Sequence, residues 1–241
     1  MLKIYLHIEP YQVSNVFCDI SDRLSYITVK LKVLEYIKAY WRGNINLSKP
    51  YICIDTELDR VFMVNQDARK IVSFVFGYNI KTANPDLTSA SNAISRIGYK
   101  NQENEITEKM VSECHSILSD LRQRDDNLYW EQEMLIGDSD EKIDARSIRL
   151  FEHILMQEAG YLRYDDAPHD EKLPYHPRFH IDINYSSNAH YKVGLGKQTT
   201  IEEFFYMFNK KTKCPYLQIE HSKYDTVVVK PTNSKKKRKR K

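Results

Sequence analysis

The sequence predicts an α+β protein: a mixed or antiparallel sheet, several packed amphipathic helices and a disordered basic tail at the carboxyl end. Three observations lead there. Segments that alternate polar and apolar residues share the chain with segments whose apolar residues recur at three- and four-residue steps. The composition, 241 residues with 41% hydrophobic and 36 Lys+Arg against 33 Asp+Glu, is that of a globular protein able to bury its own core. The last seven residues, Lys235, Lys236, Lys237, Arg238, Lys239, Arg240 and Lys241, are all basic, and seven like charges repel one another and bury nothing. Residues 1–230 are expected to form one domain with a soft subdivision near 81–103, and 231–241 the tail.

Residues 2–8 (LKIYLHI) alternate and read as a strand. Residues 27–33 (ITVKLKV) alternate too, but they run into VLEYIKAYW, and the stretch continues equally well as helix. Tyr51–Asp55 and Arg60–Val64 flank the polar Thr56–Asp59 as the arms of a hairpin, and Gln66–Phe76 is expected to be helical. Asn84, Pro85 and Asp86 mark a loop, after which Thr88 or Ser89 would cap a helix over 89–97. The clearest helix covers 105–122, where Ile106, Met110, Cys114, Ile117 and Leu121 fall on one face. A second covers 144–159, with Ile148, Phe151, Ile154 and Leu155 inward and Gly160 as its stop. Tyr161–Tyr164 reads as a short strand and Asp165–Tyr175, rich in acids and prolines, as an exposed loop. Strands over 179–185 and 190–195, an aromatic helix over 200–209 and a strand over 224–230 complete the pattern.

Charge and cysteines exclude several classes. Without the last seven residues the chain holds 29 Lys+Arg against 33 Asp+Glu, a net of −4, so its body is mildly acidic. Attraction to nucleic acid therefore resides in the tail, which either neutralises phosphates without reading sequence or simply solvates the chain end. Cys18, Cys53, Cys114 and Cys214 are widely separated with no C-x-x-C pair, which excludes a zinc ribbon and a thioredoxin-type site and favours reduced thiols. The amino terminus meets Glu9 and Pro10 before any long apolar run, and the most apolar stretch, Ile71–Tyr78, is far shorter than a membrane span. A cytoplasmic protein with no membrane partner is expected.

One segment concentrates chemistry. His176, His180, Asp182, Asn184 and His190 fall within fifteen residues. On a strand over 179–185, Phe179, Ile181, Ile183 and Tyr185 point to one face and His180, Asp182 and Asn184 to the other. Same-face positions are roughly 7 Å apart, close enough for His180 and Asp182 to ligate one divalent metal or act on one phosphate. His190 is a candidate third ligand, and His176 a candidate second catalytic imidazole beside His180 and Asp182. A structural hydrogen-bond network is the competing reading. Arg163 and Asp165 on the preceding strand would pair with the site or with each other.

Other patterns carry less. His180, Asp182 and His221 have the composition of a two-histidine, one-carboxylate iron site, but such oxygenases need a largely β barrel. Gly194-Leu195-Gly196-Lys197 lacks the first glycine of a phosphate loop, since Tyr191 stands there, and Thr199 falls one residue late. Seven glycines in the whole chain argue against a dinucleotide-binding fingerprint. Glu131 and Glu133 beside Trp130 read as an exposed strand rather than a carboxylate pair.

Tyr161-Leu162-Arg163-Tyr164-Asp165, then His176-Pro177-Arg178-Phe179-His180-Ile181-Asp182-Ile183, then Phe204-Phe205-Tyr206-Met207-Phe208 resemble, in that order, a bacterial domain-of-unknown-function family, number 2290. The resemblance covers about residues 145–220, with Asp182 standing where the family pattern has its third histidine. It implies a bacterial, cytoplasmic setting and, by analogy, an accessory gene of mobile elements or a phage-defence locus. Together these readings give an effector acting on nucleic acid or a nucleotide, metal-assisted or through His/Asp acid-base chemistry as a phosphoesterase or nuclease. The alternative is a non-catalytic interaction protein with a protein partner, whose tail alone touches nucleic acid.

Overall fold

Alternation of buried and more exposed side chains builds the first strand, whereas the three strands that follow it in the sheet are buried on both faces. In the computed structural model, which describes residues 3–17, 20–39, 50–65, 67–82, 94–99, 105–123, 143–173, 175–185, 191–209 and 211–212, nine strands follow in order. They are β1 (Lys3–His7), β2 (Tyr51–Asp55), β3 (Arg60–Val64), β4 (Lys70–Val75), β5 (Tyr78–Thr82), β6 (Ile94–Tyr99), β7 (Leu162–Asp166), β8 (Phe179–Ile183) and β9 (Tyr191–Gly194). The helices are α1 (Arg23–Ala39), α2 (Glu108–Gln123), α3 (Ala145–Met156) and α4 (Ile201–Tyr206), after a short helical passage at Pro10–Gln12 and Val13–Val16. The expected strand over 224–230, the loop at 84–86 and the tail lie outside the described residues.

Seven strands form one sheet in the order β1-β2-β3-β4-β7-β8-β9, every neighbouring pair antiparallel, while β5 and β6 pair with each other. The chain is thus α+β. On one sheet face Ile4, Leu6, Ile52, Ile54, Val61, Met63, Val72 and Phe74 meet α1, α2 and α3. On the other, Tyr51, Cys53, Phe62, Val64, Ile71, Tyr164 and Ile181 gather around Phe204 of α4. Phe205 stacks on Phe62 with ring centroids 3.9 Å apart, so α4 closes the second face with aromatic area.

Several elements differ from the sequence expectation. Residues 27–33 lie within α1, whose Tyr26, Ile27, Val29, Leu31, Val33, Leu34, Tyr36 and Ile37 are all buried. A helix covered on nearly every side has no polar stripe, so its sequence mimics alternation. Its start is fixed by Asp22, whose Oδ1 accepts from Ser25 N at 2.7 Å while Ser25 Oγ accepts from Asp22 N at 3.1 Å. The helix expected over 66–76 is instead β4, where β-branched and aromatic residues are buried on both faces. Asn65 turns the chain into it, its Oδ1 accepting from Lys70 N at 3.0 Å, with Ala68 at φ 51° in the tight turn. Residues 94–97 of the helix expected over 89–97 belong to β6, and Asp165 belongs to β7 rather than to a loop.

One asymmetry positions the site. No residue of β7, β8 or β9 belongs to the core beneath α1–α3, although β7 and β8 pack their other face into the cluster around Phe204 of α4. On the helix-side face those three strands carry polar side chains instead.

Candidate functional site

Two rows of polar side chains cross that face by strand register. Arg163 in β7 lies opposite Asp182 in β8, which lies opposite Lys192 in β9. In the adjacent row Lys70 of β4 faces Asp165, Asp165 faces His180 and His180 faces Gly194. Each carboxylate therefore has a cation across the strand on at least one side, the arrangement that favours cross-strand pairing.

The side chains converge within hydrogen-bond reach. Arg163 Nε donates to Asp165 Oδ2 at 2.6 Å, and its Nη2 donates to Asp182 Oδ2. Lys192 Nζ donates to Asp182 Oδ1 at 2.6 Å and lies 3.2 Å from His180 Nε2. His180 Nδ1 is 2.8 Å from the Pro177 carbonyl oxygen, which can only accept, so Nδ1 carries a proton, while Nε2 faces the Lys192 ammonium on one side and Asp165 Oδ2, at 3.5 Å, on the other. Both ring nitrogens of His180 are thus engaged, and the residue is 1% exposed. Asp182 is 4% exposed with both oxygens taken. Burial pushes the Asp165 carboxyl up, but the His180 ring and the Arg163 guanidinium beside it outweigh this and hold it below the ordinary carboxylate range.

Backbone features lock this arrangement. Pro177 packs over Gly194, where a Cβ would sit 2.9 Å from its Cγ, so glycine lets the loop carrying the Pro177 carbonyl close onto β9. Asn184 ends β8 at φ 64°, a left-handed position that asparagine tolerates, and its Oδ1 accepts from Tyr185 N at 2.8 Å. Beyond the buried carboxylates a cleft of about 210 Å³ opens, bordered by Ser21, Tyr161, Arg163, Asp182, Asn184 and Lys192. The side chains of Arg163 and Lys192 are 23% and 25% exposed.

The structure brings together His180 and Asp182, and it adds Asp165 and Arg163, which do pair with each other and with the site at once. His176 lies against His180, ring centroids 4.6 Å apart, and its Nδ1 is buried with no hydrogen-bond partner among the described residues. His190, His221, Glu131, Glu133 and the basic residues 235–241 lie outside the described residues. Lys192 is the member that sequence reasoning missed. Its signal was weak: a cation at the alternate position of a short strand, meaningful only once β9 is in register with β8.

The acids and the imidazole also have the dimensions of a cation site. One ligand atom each from Asp165, His180 and Asp182 fall within 4.8 Å of one another, and two oxygens with one nitrogen suit several divalent ions. The ammonium of Lys192 already lies between Asp182 and His180, so these residues would hold a divalent ion after Lys192 swings aside. No helix among the described residues is long and apolar enough to cross a membrane. No family model matches this chain, and no curated protein or solved structure is similar to it.

Proposed function

We propose that the protein is an effector that binds a nucleotide or a nucleic-acid chain and holds one of its phosphates in the cleft over Arg163 and Lys192. The observation that carries this reading is the surplus of donors there. Arg163 places Nε and Nη2 on carboxylates and also bonds the Tyr161 hydroxyl, which still leaves part of its five-donor fork over, and Lys192 uses two of its three N–H groups. Buried carboxylates fix both cations in advance, so binding need not order them. At about 210 Å³ the cleft is smaller than the usual pocket for a whole ligand, which suits a grip on one phosphate of a larger molecule. Asp165, Asp182 and His180 act as positioning residues in this arrangement. The basic run 235–241 adds salt-sensitive attraction to polyanions. The resemblance to family 2290 adds the proposal of a bacterial, cytoplasmic, phage-defence or mobile-element setting.

The proximity of Asp165, His180 and Asp182 favours a second reading, in which a divalent ion displaces Lys192 and the centre works as a metal-assisted phosphoesterase or nuclease. Thermal unfolding separates the two, because a ligand bound only by the native state raises its stability. Inorganic phosphate or a mononucleotide in EDTA is expected to stabilise the wild type and not Lys192→Met. Stabilisation by Mg²⁺ or Mn²⁺ that survives or grows in Lys192→Met would replace the first reading with the second. Absence of any shift would leave the non-catalytic interaction protein.

A further inference from the structure

The two glycines of the Gly194-Leu195-Gly196 run are not equivalent. A glycine within a strand weakens it and commonly marks a place where another part of the chain comes close. Gly194 is the last residue of β9, and the glycines with positive φ among the described residues are Gly77 and Gly160, so its backbone asks for nothing that alanine lacks. The demand is steric. A Cβ at Gly194 would lie 2.9 Å from Pro177 Cγ and 3.5 Å from Pro177 Cβ, whereas one at Gly196 would meet nothing within 4 Å.

Pro177 is held from both sides. His176 exchanges backbone hydrogen bonds with Lys172, 2.8 Å in each direction. Arg178 O accepts from Ala167 N at 2.9 Å, and Arg178 Nε donates to Asp166 Oδ1 at 2.7 Å. A proline ring is tied to its own backbone and cannot swing aside as a long side chain does. Favourable carbon contacts begin near about 3.5 Å, so a Cβ at 194 would push Pro177 outward by roughly half an ångström. The Pro177 carbonyl, which receives His180 Nδ1 at 2.8 Å, would move with it.

Strand register carries the consequence to the cleft. Gly194 lies opposite His180, and Lys192 opposite Asp182. His180 Nε2 is 3.2 Å from Lys192 Nζ, which also donates to Asp182 Oδ1 at 2.6 Å. With the imidazole anchored at Nδ1, the ammonium is gripped at two points and its third N–H has a fixed direction. With the imidazole loose, Asp182 alone holds it. His180 is 1% exposed, so water does not replace a lost carbonyl without opening the loop.

We infer that Gly194 is a positioning residue of the cleft: by admitting Pro177 onto β9 it fixes the His180 imidazole and, through it, the direction in which Lys192 offers its free N–H to a phosphate. The effect on a ligand rests on the phosphate grip proposed above; the clasp on His180 does not. The test compares full-length wild type, Gly194→Ala, Gly196→Ala and the double variant Gly194→Ala with Pro177→Ala, in EDTA, with inorganic phosphate as the probe. Removing the proline ring leaves only the 3.5 Å approach of residue 177 Cβ, an ordinary contact, so the double variant is expected to regain what Gly194→Ala loses. Two readings are taken: the His180 Nδ1–H resonance in histidine-labelled protein, and the phosphate affinity by NMR titration. Wild type and Gly196→Ala are expected to show a slowly exchanging Nδ1–H signal and equal affinities. Gly194→Ala should lose that signal to exchange with water and bind phosphate about tenfold more weakly, with both restored in the double variant. A signal and affinity unchanged in Gly194→Ala, or losses that the double variant fails to restore, would overturn the inference. A wild type that shows the signal and its rescue but binds no phosphate would overturn the grip, and with it the role of Gly194 in binding, while the clasp on His180 would stand.

Discussion

At the scale of single residues, Asp182 holds the polar rows together and Lys30 works against the fold. Asp182→Asn removes a buried carboxylate that receives both Arg163 and Lys192. Breaking a buried pair typically costs about 3–5 kcal/mol, so a loss of at least about 3 kcal/mol in urea unfolding is expected, against less for Lys192→Met, which leaves Asp182 its arginine. Equal losses would mean that the two cations do not share this carboxylate. Lys30 is 2% exposed in α1, its ammonium donating to Gln157 Oε1, and burial pushes its pKa down to about 7. An unfolded lysine titrates near about 10.4. Between those values the unfolded chain holds the extra proton, so this residue lowers stability fully below pH 7, and the deficit fades as pH rises toward 10. Lys30→Met leaves Gln157 without its donor but removes the buried charge, so a net gain of about 2 kcal/mol is expected at pH 6, shrinking by pH 10. A gain independent of pH would refute the assignment. At this scale His180 and Asp182 were legible because alternation sent them to one face. Lys192 and Asp165 reach them through register between strands, which no local pattern encodes, and the acids following Asp165 disguised the end of β7 as loop.

At the scale of elements, legibility followed burial. The helix at 105–122 could be read because α2 is half buried, with Met110, Cys114, Ile117 and Leu121 inward and charges outward. The nature of α1 and β4 could not, because each is covered on nearly all sides and so lacks the stripe or alternation that declares a period. Short α4 depends more on its ends than on propensity. Thr200 and Glu203 form a reciprocal cap, Glu203 N donating to Thr200 Oγ1 at 3.1 Å and Thr200 N to Glu203 Oε2 at 2.9 Å. Thr200→Ala is expected to cost about 1 kcal/mol and to loosen Phe204 and Phe205 over Phe62, read as faster hydrogen exchange in β3. Unchanged exchange there would show that aromatic packing alone holds the helix.

At the scale of the whole molecule, the sheet divides one face into an apolar half under α1–α3 and a polar half on β7–β9, and the chain sets a mildly acidic body against a basic end. Deleting 235–241 is expected to weaken polyanion binding and flatten its dependence on salt, while leaving mononucleotide binding intact. Binding of long nucleic acid that ignores this deletion would place the main electrostatic contact on the folded body. The central claim, that Arg163 and Lys192 hold a phosphate without a metal, is tested most directly by calorimetric titration of a mononucleotide in EDTA into the full-length wild type and Lys192→Met. Saturable binding by the wild type, weakened at least tenfold in the variant while its helical circular dichroism is unchanged, is the predicted result. Equal binding by the two proteins, or binding that appears only when a divalent ion is added, would contradict it.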